Sequence, residues 1–132
     1  MEENKAPGEN KILIIDDDDS VRSFLEMFLK KKGYIQVLLA STGEAGLKLL
    51  AEEDKVRIIL LDIMLPDING LELLRKIKKI IKRDIGVIMI TGYPDEDKAK
   101  EAISEGAYDY IIKPFDLAYL ELSLLTKIVK MV

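Results

Sequence analysis

The chain has 132 residues, enough for one domain with a single core, and its 48% hydrophobic and 33% charged content is that of a globular protein rather than a disordered one. It has no Cys and no His, which excludes disulfides, thiolate metal sites and the commonest general base. A net charge of −4 with no basic patch argues against nucleic-acid binding, and no apolar stretch approaches the about eighteen residues that cross a bilayer.

Residues 1–10 are polar, contain a Pro-Gly pair and show no periodicity, so they are expected to form a mobile tail. They do not read as a signal peptide, and a cytoplasmic location is the expectation. From residue 11 onward, short apolar runs alternate with helical patterns. ILII (12–15) predicts a strand, followed by a helix in which Val21, Phe24, Leu25, Phe28 and Leu29 repeat at helical spacing before Gly33. VLLA (37–40) predicts the second strand, and residues 44–53 a helix that buries Leu47, Leu50 and Ala51. IILL (58–61) leads to a helix over 70–81 with Leu71, Leu74, Ile77 and Ile81 on one side. VIMI (87–90) precedes a highly charged helix over 95–105, whose apolar seam is only Ala99, Ala102 and Ile103; Gly106 ends it. YII (110–112) is the last strand, and Asp116 can cap a final helix that runs close to Val132.

The strands are apolar without alternation, as strands buried on both faces of a parallel sheet are. Five strand–helix units in one chain without linker or repeat imply a single α/β domain over 11–132, a doubly wound parallel sheet with five helices.

The polar residues fall in one place. Asp16 and Asp17 follow the first strand, Asp62 the third, Thr91 the fourth and Lys113 the fifth. Ligands of open α/β sheets bind outside the carboxyl ends of the strands, and neighbouring strands are only about 4.8 Å apart, so these groups can converge. Each has an ordinary explanation alone. Asp18, Asp19 and Ser20 suit the start of a helix, Pro66 shapes a loop, and Gly70 begins a helix. Asp16 and Asp17, closest to the strand, are expected to be the least solvated of the four aspartates. Two like charges 4 Å apart repel by about 4 kcal/mol at an effective dielectric near 20, a cost that a sequence tolerates for helix capping, for a cation, or for both.

Three carboxylates without His or Cys form an oxygen-only site suited to Mg²⁺. A Lys and a Thr hydroxyl can bind phosphoryl oxygens, and a carboxylate can accept a phosphoryl group as an acyl phosphate. No phosphate loop of the GxxxxGK type is present, so the chain is not expected to bind a nucleoside triphosphate. The constellation reads as Mg²⁺-assisted phosphoryl transfer onto an aspartate.

The motifs ILIIDDDDSVR, IILLDIMLPDINGLELL, MITGYP and GAYDYIIKPFD together resemble the receiver domain of two-component response regulators, over almost the whole chain. The resemblance implies a flavodoxin-like sheet of order 2-1-3-4-5. It implies Asp62 as phosphoacceptor, Asp17 as a direct Mg²⁺ ligand, Asp16 holding the ion mainly through water, and the Met64 carbonyl as a further ligand. Lys113 would pair with the phosphoryl group, Thr91 would swing its hydroxyl onto it, and Tyr110 would turn inward when Thr91 moves. Met64 and Tyr93 would flank the site, and the bond before Pro114 is cis in many such domains. The donor would be the phosphohistidine of a sensor histidine kinase, which this His-free chain cannot supply itself. The domain would then be no enzyme beyond self-phosphorylation from small donors and autodephosphorylation.

Two other readings compete. Asp17, Asp19 and Val21 spell the DxDxV pattern of haloacid-dehalogenase phosphohydrolases, with Asp17 as nucleophile and Asp19 as acid/base. Against it, no acidic pair follows a later strand, the chain is short, and Asp62 has no role. The third reading is an interaction module on the same fold that no longer takes phosphate. For the output, the thin seam of the 95–105 helix makes it the expected moving element, with Tyr110 and the last helix. In that last helix Leu117, Leu120, Leu124, Ile128 and Met131 form one stripe, and Leu122, Leu125, Val129 and Val132 a second, turned roughly 120° away. The second stripe is expected to be an interaction surface, for a homodimer or for an output domain or target that the sequence does not name.

Overall fold

A computed structural model describes residues 11–34 and 36–131. The expected tail at 1–10 and Val132 lie outside the described residues, as do the side chains of Tyr93 and Met131. The five strands are β1 (Lys11–Ile15), β2 (Val37–Ala40), β3 (Val56–Asp62), β4 (Gly86–Thr91) and β5 (Asp109–Ile112). They form one parallel sheet in the order β2-β1-β3-β4-β5. The helices are α1 (Asp19–Lys31), α2 (Gly43–Glu52), α3 (Gly70–Ile80), α4 (Glu96–Ser104) and α5, residues 117–131.

Successive residues of a strand point to opposite faces, and both faces are covered. Leu13, Ile15, Ile59, Leu61, Val87 and Met89 pack with Leu50, Leu73, Leu74, Ile77, Ala99 and Ala102 of α2, α3 and α4. Ile12, Ile14, Ile58, Leu60, Ile88, Ile90 and Ile111 pack with Leu25, Phe28 and Leu29 of α1 and with Leu120, Leu124 and Ile128 of α5. The two-sided burial accounts for strands that read as unbroken apolar runs.

Helix ends follow local chemistry. Asp18 caps α1, accepting from the amides of Ser20 and Val21, and Gly33 leaves that helix with φ +100°, a conformation that favours glycine. Asp116 caps α5 through the amide of Tyr119. A 3₁₀ turn, Tyr93–Asp95, precedes α4, which therefore begins one residue later than the pattern suggests.

Several side chains lie elsewhere than periodicity places them. Ala51 is exposed, because the buried residues of α2 are Gly43, Gly46 and Leu50 instead. Ile103 is 41% exposed, so the seam of α4 narrows to Ala99 and Ala102. Leu73, outside the expected stripe of α3, is fully buried. Within α5, α-helical Leu117–Tyr119 and Leu125–Met131 flank a π-helical stretch, Leu120–Leu124. The wider turn rotates later residues relative to a straight α-helix. Leu120, Leu124 and Ile128 are buried as the first stripe requires, but Leu117 is 48% exposed. Of the second stripe, Leu122 and Val129 face outward and Leu125 is half-buried.

Candidate functional site

The parallel register delivers the expected residues to one edge. Ile15 pairs with Leu61, Asp62 with Ile90, and Thr91 with Ile112, so Asp16, Asp62, Thr91 and Lys113 leave neighbouring strands at nearly the same level. Carboxylate oxygens of Asp16, Asp17 and Asp62 all lie within 4.8 Å of one another. Asp16 is fully buried and Asp62 nearly so, whereas Asp17 is exposed. The expectation that Asp17 would be poorly solvated is thus corrected: the chain turns outward after Asp16 to begin α1.

Lys113 reaches into this cluster from the end of β5. Its Nζ lies 3.1 Å from Asp16 Oδ2 and 3.6 Å from Asp62 Oδ2. Burial opposes the charged ammonium, but Asp62 and Asp16 outweigh it and hold Lys113 above the ordinary lysine range. Asp62 Oδ1 accepts from the Met64 amide at 3.2 Å. Burial and then the Asp16 charge push the Asp62 pKa up to about 6, against the pull of Lys113 and the Met64 amide. The carboxylate is thus destabilised without a further cation.

Asp16 is the most buried member of the cluster. Its Oδ1 accepts from the Asp18 amide at 2.9 Å, and its backbone carbonyl accepts from Arg22 Nη1 at 2.6 Å. Its Oδ2 is buried, with the Lys113 ammonium 3.1 Å away as its charged neighbour. One ammonium is thus shared between two buried carboxylates, which leaves room for a further cation to lower the cost of their burial. Three carboxylates and no nitrogen or sulfur donor fit Mg²⁺. Asp16→Asn is expected to raise stability in the absence of Mg²⁺ by about 1–2 kcal/mol, because a buried charge becomes a neutral amide that can donate to Asp62. The same change should weaken Mg²⁺ binding about tenfold or more. Thermal unfolding with a chelator and with Mg²⁺ checks both; unchanged stability in both conditions would count against a shared site.

The remaining residues are ordered around this centre. Thr91 is buried at the end of β4 with its hydroxyl donating to the Gly92 carbonyl at 3.0 Å, and its own carbonyl accepts from the Lys113 amide at 2.7 Å. The Lys113–Pro114 bond is cis. The Tyr110 hydroxyl donates to Glu96 Oε2 at 2.9 Å, a contact that, with partial burial, raises its pKa. Pro66 sits in the exposed part of the β3–α3 loop, and Gly70 closes that loop where no side chain fits: a Cβ there would lie 2.3 Å from the Asp62 carbonyl oxygen. Beside Lys113 opens an apolar cleft of about 410 Å³, lined in part by Val21, Phe24, Pro114 and Phe115.

Sequence reasoning did not find Arg22, Glu96 or Asp67, which hold parts of this edge together. Arg22 lies one turn into α1, where any long donor would look like a solvated charge. Glu96 lies 14 residues from Tyr110, and no local pattern joins them. Asp19, the acid/base of the phosphohydrolase reading, belongs to the surface: its side chain is 90% exposed and pairs with Arg22.

An aspartate cluster, a lysine and a hydroxyl at the carboxyl edge of a 2-1-3-4-5 sheet can be compared with known proteins. The chain matches the response regulator receiver domain over residues 12–124. It belongs to that family. Among curated relatives, the transcriptional regulatory protein AfsQ1 of Streptomyces coelicolor is 39% identical over 103 residues, which cover 78% of this chain and 44% of that protein. The transcriptional regulatory protein SrrA of Staphylococcus aureus is 37% identical over 106 residues, 80% of this chain and 42% of that one. This receiver domain therefore spans less than half the length of these relatives. Among solved structures, a response regulator receiver domain from Clostridium thermocellum superposes with a TM-score of 0.80 at 33% identity, covering 92% of this chain and 95% of that one. A CheY-like receiver domain from Methanospirillum hungatei gives the same values. The chain is thus a receiver domain of two-component signalling, and the phosphohydrolase reading finds no support in these relatives. Among the described residues no helix is long and apolar enough to cross a membrane.

Proposed function

We propose that Asp62 of this receiver domain accepts a phosphoryl group from the phosphohistidine of a sensor histidine kinase. The observation that carries the reading is the contact of Lys113 with both Asp16 and Asp62 within a buried cluster of carboxylates. An Asp62 oxygen attacks phosphorus, the P–N bond breaks, and the imidazole leaves with the bonding electron pair, forming an aspartyl acyl phosphate. Asp62 must be ionised to attack, which its pKa of about 6 permits at neutral pH. Mg²⁺, held by Asp16, Asp17, Asp62 and the Met64 carbonyl, would neutralise charge on the phosphoryl oxygens. Lys113, already at the acceptor, can move its ammonium from the carboxylates to the new phosphoryl oxygens. The apolar cleft beside Lys113 offers the donor protein a surface next to the acceptor.

Output follows from two groups that begin with other partners. The Thr91 hydroxyl would leave the Gly92 carbonyl for the phosphoryl group, and Tyr110 would leave Glu96 and turn into the space behind it. Moving a two-state equilibrium from 1:99 to 99:1 takes about 5.5 kcal/mol of differential interaction. The helix asked to move, α4, is held by a seam of only Ala99 and Ala102, by Glu96 to Tyr110, and by Arg75 to Glu101 and Glu105. Few buried contacts make it the easiest helix to displace.

The test is intact mass and peptide mapping after incubation with Mg²⁺ and acetyl phosphate. One labile phosphoryl group on Asp62, absent from Asp62→Ala, is the expected result. Modification of Asp17 instead would sink the assignment, and an unmodified chain with either acetyl phosphate or kinase would favour a module that no longer takes phosphate.

A further inference from the structure

The segment after Asp62 closes on itself. Met64 and Asn69 pair as an isolated antiparallel bridge, and the Gly70 amide donates to the Ile63 carbonyl at 2.7 Å. Asn69 Oδ1 accepts from the Leu71 amide at 2.8 Å and so starts α3. The resulting 64–69 ring carries the Met64 main chain, whose amide already contacts Asp62.

The far side of this ring is held by Asp67. Its Oδ1 accepts from the Gly43 amide at 2.9 Å and its Oδ2 from the Glu44 amide at 2.9 Å, 24 and 23 residues away in sequence. These are first-turn donors of α2, which have no partner within the helix. Thr42 Oγ1 takes the next one, the Ala45 amide, at 3.1 Å, so α2 has its own cap in addition to the carboxylate from the ring. The two bonds hold the Asp67 carboxyl below the usual carboxylate range. The approach is close: a Cβ on Gly43 would lie 2.3 Å from Ile68 Cγ2.

One turn further along the same buried face, α2 rests on β1 at the residue before Asp16. A Cβ on Gly46 would lie 2.4 Å from Ile15 Cδ1. A path of close contacts therefore runs from the ring through Asp67 and α2 to Ile15. It joins the main chain after Asp62 to the strand that bears Asp16.

We infer that Asp67 is a positioning residue: by clamping the 64–69 ring to α2, it sets where the Met64 main chain stands relative to Asp16, and thereby the affinity for Mg²⁺. The inference rests on the reading of Asp62 and Mg²⁺ given above. A carboxylate is the side chain that accepts from two adjacent amides at once, and no other group among the described residues takes these two donors.

The experiment is Mg²⁺ titration calorimetry on wild type, Asp67→Ala, Asp67→Asn and Thr42→Ala, with melting temperatures and acetyl phosphate labelling of each. Asp67→Ala should bind Mg²⁺ about tenfold more weakly, the effect typical of losing a partner that orients a ligand. Asp67→Asn keeps one acceptor oxygen and should fall between, and it preserves the test if the alanine variant fails to fold. Thr42→Ala removes a cap from the same helix end; it should lower the melting temperature and leave Mg²⁺ affinity at the wild-type value. Wild-type affinity in the folded Asp67 variants, or the same loss in Thr42→Ala, overturns the inference. Wild type that neither binds Mg²⁺ nor takes a phosphoryl group on Asp62 overturns the parent reading itself, a result distinguishable because it does not involve the variants.

Discussion

Raising the pH through the titration of Asp62 is expected to remove about 3 kcal/mol of stability from the metal-free protein. The acid releases its proton at 3.8 in the unfolded chain and at about 6 in the folded one. Between these values the folded state binds more protons, so stability falls as pH rises, and above the folded value the loss is complete. At about 1.36 kcal/mol per pH unit, the difference between the two values gives the magnitude. Its causes are burial first and the Asp16 charge second, with Lys113 offsetting part of both.

Other carboxylates act in the opposite sense. Asp67 and Glu105 are held below their ordinary values, so the stability they contribute appears as pH rises. The clean measurement is therefore a difference: unfolding of wild type and Asp62→Asn across the acid-to-neutral range, with a chelator present. The asparagine variant should be the more stable at neutral pH, and its advantage should vanish below the unfolded pKa. Saturating Mg²⁺ should remove the advantage at neutral pH by stabilising wild type alone. A difference between the two proteins that does not vary with pH would refute the account.

Lys113→Met should separate two roles that this side chain combines. As a group poised to meet the phosphoryl oxygens it contributes to transfer, and its loss is expected to slow labelling by acetyl phosphate about 10²- to 10³-fold. As a cation resting 3.1 Å from Asp16 and 3.6 Å from Asp62, it competes with Mg²⁺ for both carboxylates. Its removal should therefore tighten Mg²⁺ binding while impairing the chemistry. In the metal-free protein the remaining carboxylates face each other without a cation, and the Asp62 pKa should rise further above about 6. Breaking a buried pair costs about 3–5 kcal/mol, but Lys113 is partly exposed and Asp62 can take a proton, so about 1–2 kcal/mol is expected. Labelling at the wild-type rate, or weaker Mg²⁺ binding, would remove Lys113 from the assigned position.

Much of the site was legible because of where strands end. Parallel strands in register release their next residues at one level, so Asp16, Asp62, Thr91 and Lys113 could be gathered from four short runs. The capping role of Asp18 was equally local, since a carboxylate just before a helix meets its free amides. The exposure of Asp17 was not, because it depends on the direction in which the chain turns after Asp16. Ile103 and Leu117 lie on stripes that periodicity assigns to the core, yet each is nearly half exposed. Periodicity identifies the side of a helix that is apolar; the width of the contact is decided by what packs against it.

By itself, the sequence determined the element order, the parallel sheet, and the residue types at its carboxyl edge, because two-sided burial and strand ends leave local signatures. It also determined the oxygen-only chemistry, since a chain without His or Cys offers a cation little else. Tertiary structure alone decided which groups meet: Lys113 on Asp16 and Asp62, Tyr110 on Glu96, and Asp67 on two amides of α2. These contacts cross between elements distant in sequence, and they arise from how loops and helix ends seat against one another. A residue pattern carries the face a side chain prefers, while the partner it finds there is set by packing.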